Sequence, residues 1–297
     1  MSCFQGVCAF PSTPADAEGR VDTDALRRLL GRLVDAGVSS IGVLGSTGSY
    51  PYLDRSERRR AVEAAVDQVA GRVPVLVGIG ALRTDDAVRL GQDAKAAGAD
   101  AVLLAPVSYT PLTDEEVFTH FETVARAVAL PLCVYDNPGT THFAFGVELL
   151  ARLSRVPGIA ALKTPAPGAE AVRDRLDALR AAAGDGFSVG CSVDAHATEA
   201  MLGGADAWYS VVGGLFPDPC MRILATVRAG DADAARRLDA RLKPLWDLFG
   251  AFGSLRVVYA AADLLGLCAT HPPRPILPLE DAARRRIGDV LEALGLA

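Results

Sequence analysis

With 297 residues, half of them hydrophobic, the chain carries enough apolar material for one large core, and α/β barrels reach this length as one domain. A formal net charge of −6 argues against a nucleic-acid partner, because the phosphate backbone selects basic faces. No apolar run approaches the ~18 residues of a membrane span, and the opening Met1-Ser2-Cys3-Phe4-Gln5 lacks a signal-peptide pattern, so a cytoplasmic protein without a membrane partner is expected.

The first apolar run, 7–10, precedes an amphipathic segment, 22–36, with Leu26, Leu29, Leu30 and Leu33 on one helical face. A run at 40–44 leads to a helix at 54–69, whose opening Asp54-Arg55-Ser56-Glu57 sets an acceptor at the cap and a glutamate three residues on. Runs at 73–78 and 100–105 enclose a helix at 84–97 that stops at Gly98, and a helix at 113–129 opens Thr113-Asp114-Glu115-Glu116. The later runs, 130–135, 159–163, 187–190 and 207–211, are followed by helices at 147–153, 168–182, 194–202 and 217–229. Near-continuous apolar runs are what parallel strands covered on both faces require. Eight strand–helix units in alternation predict a (β/α)8 TIM barrel rather than a doubly wound sheet. Residues 231–297 hold no convincing strand and read as three more helices, near 232–248, 254–265 and 280–294. The expected organisation is a barrel with the active site over 1–230 and a C-terminal helical extension over 231–297.

Barrel enzymes build their sites where strands end and βα loops begin. The sixth run ends Leu162-Lys163-Thr164-Pro165. An ammonium there is costly to bury unless paired, and burial favours the free amine that attacks a ketone. Lysine is scarce in this chain: Lys95, Lys163 and Lys243 are its only examples among 30 basic residues, which marks Lys163 as needed for its amine. The plainer reading is a lysine reaching solvent or pairing with a carboxylate. The fifth run ends at Tyr135, followed by Asp136-Asn137-Pro138-Gly139; its phenol can relay protons beside Lys163 or simply plug the core. The second ends Gly45-Ser46-Thr47-Gly48-Ser49, hydroxyls and backbone N–H groups suited to a carboxylate, although such clusters are often only turns. The six cysteines, Cys3, Cys8, Cys133, Cys191, Cys220 and Cys268, show no metal-like spacing and read as small buried hydrophobes; no metal is expected.

Together these residues resemble the N-acetylneuraminate lyase and dihydrodipicolinate synthase family of class I aldolases. The likeness spans nearly the whole chain, from Gly6-Val7-Cys8-Ala9-Phe10-Pro11 through the Gly-Ser-Thr-Gly turn, Tyr135 with Asn137-Pro138, and the strand ending at Lys163, to Gly204-Ala205-Asp206 with Ser210 and Pro217. The resemblance implies an imine between Lys163 and a 2-oxo acid such as pyruvate, with no metal or organic cofactor. It makes Tyr135 the proton-transfer residue, with Ser46 in its relay and Thr47 on the carboxylate. Thr140, Gly190 and Tyr209 are expected around the substrate. Homotetramers are common in the family, and the small-molecule partners would be a 2-oxo acid and an aldehyde.

The chain also departs from that pattern. The synthase branch has an arginine five residues after its tyrosine, where it grips the aldehyde's carboxylate; here that residue is Thr140, which lacks the bidentate fork. A typical dihydrodipicolinate synthase is therefore not expected. Where the branch lends a tyrosine to a neighbouring subunit, this chain has Ser108 followed by Tyr109. Either Tyr109 substitutes or the relay ends at Ser46. The family's usual glutamate after the turn is Ser49, and His142 is either a surface histidine or near the second substrate. The leading reading is an aldolase or lyase; the alternative is a Schiff-base dehydratase or hydratase-aldolase acting on a longer 2-oxo acid. Two further readings do without the imine: a phosphate-binding barrel using Gly203-Gly204 and Gly213-Gly214, and a non-catalytic metabolite binder.

Overall fold

A computed structural model describes residues 2–297. Eight strands, β1 (Gly6–Ala9), β2 (Ser40–Val43), β3 (Val75–Gly78), β4 (Ala101–Leu104), β5 (Leu132–Tyr135), β6 (Ile159–Pro165), β7 (Ser188–Ser192) and β8 (Ala207–Ser210), pair in sequence order and close into a barrel. Every pairing is parallel. Helices α1 (Thr23–Asp35), α2 (Arg55–Val69), α3 (Thr84–Ala96), α4 (Asp114–Val128), α5 (Pro138–Thr141), α6 (Val147–Leu153), α7 (Val172–Ala183), α8 (Asp194–Leu202) and α9 (Pro217–Arg228) fill the connections. The predicted (β/α)8 TIM barrel is the fold observed.

Local chemistry explains the boundaries. Asp22 accepts the Asp24 and Ala25 N–H groups to start α1, and Asp54 accepts that of Glu57 to start α2. At α4, Thr113 and Glu116 form a reciprocal capping box. The leucines read as one face of α1 are all buried, each contributing about 2 kcal/mol of apolar burial. Strand β6 runs two residues past the expected end at Lys163, because Thr164 and Pro165 stay in register with Cys191 and Ser192 of β7.

The tail differs from expectation in one respect. It holds four helices rather than three: α10 (Ala232–Arg241), α11 (Lys243–Phe252), α12 (Ser254–Leu264) and α13 (Asp281–Leu294). The segment read as one helix over 232–248 breaks at Leu242, since Pro244 enters within the first turn of α11 and a proline has no N–H to continue a preceding helix. The brief helix α5 after β5 was also not read from the sequence. Buried residues of the tail, among them Leu245, Leu248, Val257 and Tyr259, belong to the same apolar cluster as the outer faces of the barrel strands.

One buried carboxylate fixes the last two strands. Asp194, at the start of α8, accepts the Trp208 indole N–H at 2.8 Å, the Ser210 hydroxyl at 2.7 Å and the Val211 and Val212 amides at 3.2 and 3.1 Å. Burial pushes its carboxyl up, and these donors pull the other way. Asp194→Ala strands four donors in the interior and is expected to lower unfolding stability by about 3 kcal/mol or more. Denaturant unfolding checks this, and a loss below about 1 kcal/mol removes the clamp from the account.

Candidate active site

Alternation along the strands sorts the core into two parts. One alternate set, Val7, Ala9, Val134 and Leu162 among it, faces the helices. Their neighbours Cys8, Phe10, Cys133, Tyr135, Ala161, Ala207 and Tyr209 fill the barrel interior. In that interior small residues, Cys8, Cys133, Ala161 and Ala207, lie one step below Phe10, Tyr135, Lys163 and Tyr209. The period of two therefore points three aromatic rings and one amine into the same interior.

The register completes the arrangement. Tyr135 pairs with Lys163 across β5 and β6, and Lys163 with Gly190 across β6 and β7. Lys163 is only 4% exposed. Its Nζ stands 3.9 Å from the Phe10 ring centroid, 4.2 Å from that of Tyr135 and 5.7 Å from that of Tyr209. Among the described residues no carboxylate forms an ion pair with it. Aromatic faces, which stabilise a cation, stand around the amine in place of a counter-ion.

Tyr135 is wired on the other side. Its hydroxyl lies 3.3 Å from Ser46 Oγ and accepts the Asn137 amide at 3.0 Å, while the same amide reaches Thr140 Oγ1 at 3.0 Å. With an N–H on the phenol oxygen, the phenol proton is left to point at Ser46 or a substrate. Thr47 is buried beside Ser46, and Gly45 has no side chain because the Phe10 ring occupies that space. The turn thus sets hydroxyls at the level of the amine.

The other expected residues fall into place unevenly. Thr140 is exposed in the short helix α5 after β5, one hydrogen bond from Asn137. A Cβ at Gly190 would run into the Tyr209 ring, so its lack of a side chain makes room for that ring. Tyr209 is 1% exposed with its hydroxyl engaged by Cys133 Sγ at 3.5 Å; it borders the amine through its ring and forms the floor. Tyr109 is 97% exposed and has no partner within its own chain's relay among the described residues. His142 is exposed at the end of α5. Cys191 is buried and its thiol is pushed up to about 12 by burial, as a packing cysteine requires.

The glycine pairs do not form a phosphate cradle. Gly203-Gly204 close α8 ahead of β8, at the opposite end of the barrel from the amine, which corrects their placement after strand seven. Gly213 N–H is donated to Ser210 Oγ and Gly214 N–H to the Val211 carbonyl, so neither amide is free for an anion.

Sequence reasoning left Phe10 and Asn137 without roles. The two-residue step from Cys8 was the available signal for Phe10. It also missed Asp136 and Thr164, which follow Tyr135 and Lys163 on the outer face. There the Thr164 hydroxyl donates to Asp136 Oδ2 at 2.8 Å, and burial raises the Asp136 carboxyl. This pair ties the two reactive strands together, along with the Asp136 N–H donated to the Lys163 carbonyl at 2.8 Å.

The family model of the dihydrodipicolinate synthetase family matches residues 3–294. The chain belongs to that family. It is 34% identical over 285 residues to the 4-hydroxy-tetrahydrodipicolinate synthase of Alcanivorax borkumensis, covering 96% of this chain and 95% of that one. To the enzyme of the same name from Pseudomonas syringae it is 38% identical, covering 96% of each. A crystal structure of dihydrodipicolinate synthase from Agrobacterium tumefaciens superposes with a TM-score of 0.96 at 55% identity, covering 98% of both chains. The chloride-inhibited dihydrodipicolinate synthase of Acinetobacter baumannii, complexed with pyruvate, superposes with a TM-score of 0.91 at 28% identity over the full length of both. Dihydrodipicolinate synthetase family members are class I aldolase-type lyases that work through a lysine Schiff base without an external cofactor. This chain is an enzyme of that type.

Tyr135→Phe keeps the ring against Lys163 but removes the hydroxyl that meets Ser46 and Asn137. It is expected to slow imine formation by about a hundredfold or more with the circular-dichroism spectrum unchanged. Wild-type trapping rates in that variant would take Tyr135 out of the chemistry.

Proposed function

We propose that Lys163 forms an imine with pyruvate or a related 2-oxo acid, and that the derived enamine adds to an aldehyde or is released from one. The observation that carries this is the Lys163 amine, buried against Phe10, Tyr135 and Tyr209 with no carboxylate to hold its proton. The amine attacks the C2 carbonyl while Ser46 and Thr47 hold the carboxylate. Tyr135 protonates the carbinolamine oxygen, which leaves as water as the C=N bond forms. Loss of a C3 proton to the Tyr135 phenolate, beside Ser46, restores the phenol and gives the enamine. The enamine C3 forms the new carbon–carbon bond with the aldehyde while the aldehyde oxygen takes the phenol proton; water then hydrolyses the iminium, which frees Lys163 and returns a proton to Tyr135.

The second substrate in this proposal is an aldehyde without a strongly held carboxylate, so the chain is not a typical dihydrodipicolinate synthase. Thr140 stands where the synthase branch has its arginine, and its hydroxyl is committed to Asn137. A hydroxyl without charge supplies no bidentate clamp. The proposed assembly is the family's homotetramer. Tyr109, projecting from the loop after β4, is then available to complete the relay of a neighbouring copy, with Gly190 and the ring of Tyr209 bordering the keto acid.

Borohydride reduction in the presence of pyruvate, followed by peptide mass measurement, tests the first half. A reduced pyruvate adduct is expected on the peptide containing Lys163, and none in Lys163→Arg. An adduct elsewhere, or none with any 2-oxo acid, overturns the proposal. A panel of aldehydes with and without a carboxylate then tests the second: turnover confined to the carboxylate-bearing ones removes the argument from Thr140.

A further inference from the structure

The turn after β2 is held in an unfavourable shape. Leu44 at its start has φ +56° and Ser49 at its end φ +54°, ψ +31°. Neither is a glycine, and residues with a Cβ stay in this region only where the surroundings hold them. Within the turn, the Ser49 N–H is donated to the Ser46 carbonyl at 3.1 Å. From the barrel side it is packed by Thr13 and Leu44, which leave no room for a Cβ at Gly48.

From the other side the contact comes from the C-terminal tail. Ser49 Oγ and the Tyr259 hydroxyl of α12 lie 2.9 Å apart, and both residues are buried. Burial pushes the Tyr259 phenol up to about 12, so it keeps its proton at neutral pH. A pair of buried hydroxyls satisfies both partners, and losing one leaves the other unpaired.

We propose that Tyr259 is a positioning residue for the 2-oxo acid: its bond to Ser49 holds the 44–49 turn in the shape that presents Ser46 to Tyr135 and Thr47 to the substrate carboxylate. The C-terminal extension thereby sets the affinity of a site whose reacting groups all lie in the barrel. The inference rests on the imine-forming reading of that site.

The test uses the full chain, with pyruvate as the probe. Tyr259→Phe is expected to raise the pyruvate concentration for half-maximal borohydride trapping about threefold to tenfold, the worth of one hydrogen bond, with the trapping rate at saturating pyruvate unchanged. Amide exchange of residues 46–49 rises in the same variant. Glycine adopts the left-handed shape without strain, so Ser49→Gly combined with Tyr259→Phe restores both the half-saturation value and the slow exchange. A purely structural loss would not be repaired by that second substitution. Unchanged half-saturation and exchange in Tyr259→Phe, or a double variant no better than the single one, overturns the inference. If the wild-type chain traps no adduct, the proposed function falls instead, and amide exchange alone still decides whether Tyr259 holds the turn.

Discussion

Closing eight parallel strands into a barrel forces every second side chain into one shared interior, and the active centre is a consequence of filling it. Two residues before Phe10, Tyr135, Lys163 and Tyr209, each strand carries a small side chain, Cys8, Cys133, Ala161 or Ala207. They leave space above for the bulk of Phe10, Tyr135 and Tyr209 and for the stem of Lys163. Without the small residues below, the rings could not converge on one amine. Without closure, the strands that carry Phe10 and Tyr209 would not stand opposite the strand of Lys163.

That geometry decides the electrostatics. A buried amine ordinarily demands a carboxylate, and a carboxylate would hold its proton firmly. Here ring faces surround Nζ instead, and the nearest buried carboxylate on the neighbouring strand, Asp136, is turned to the outer face and bonded by Thr164. The hydroxyls of Tyr135 and Ser46 face each other beside the amine. Asn137 bonds the Tyr135 end, and the strained turn after β2 carries Ser46 at the other.

Membership of the dihydrodipicolinate synthetase family accounts for the closed barrel that the chain shares with the solved structures it superposes on. The amine and the tyrosine stand at the mouth of that barrel. Thr140, Ser49 and Gly190 lie around that centre on the loops and strand ends, where barrel enzymes vary specificity while keeping their fold.

Much of this was written in the local pattern. Apolar runs alternating with capped amphipathic segments determined the eight units, because parallel strands buried on both faces and helices buried on one leave distinct periods in a chain. The lysine, the tyrosine and the Gly-Ser-Thr-Gly turn were also legible, each at the end of such a run. Tertiary structure alone decided the rest, because those contacts join residues far apart in sequence. The ring of Phe10 against Lys163 depends on closure between the first and last strands. The bond from Ser49 to Tyr259 spans 210 residues and depends on where the tail folds back. The break at Leu242 and the glycine pair at the wrong end of the barrel show the same limit from the other side. Residue types announce a helix or a loop, but only packing fixes where each one ends and which mouth of the barrel it faces.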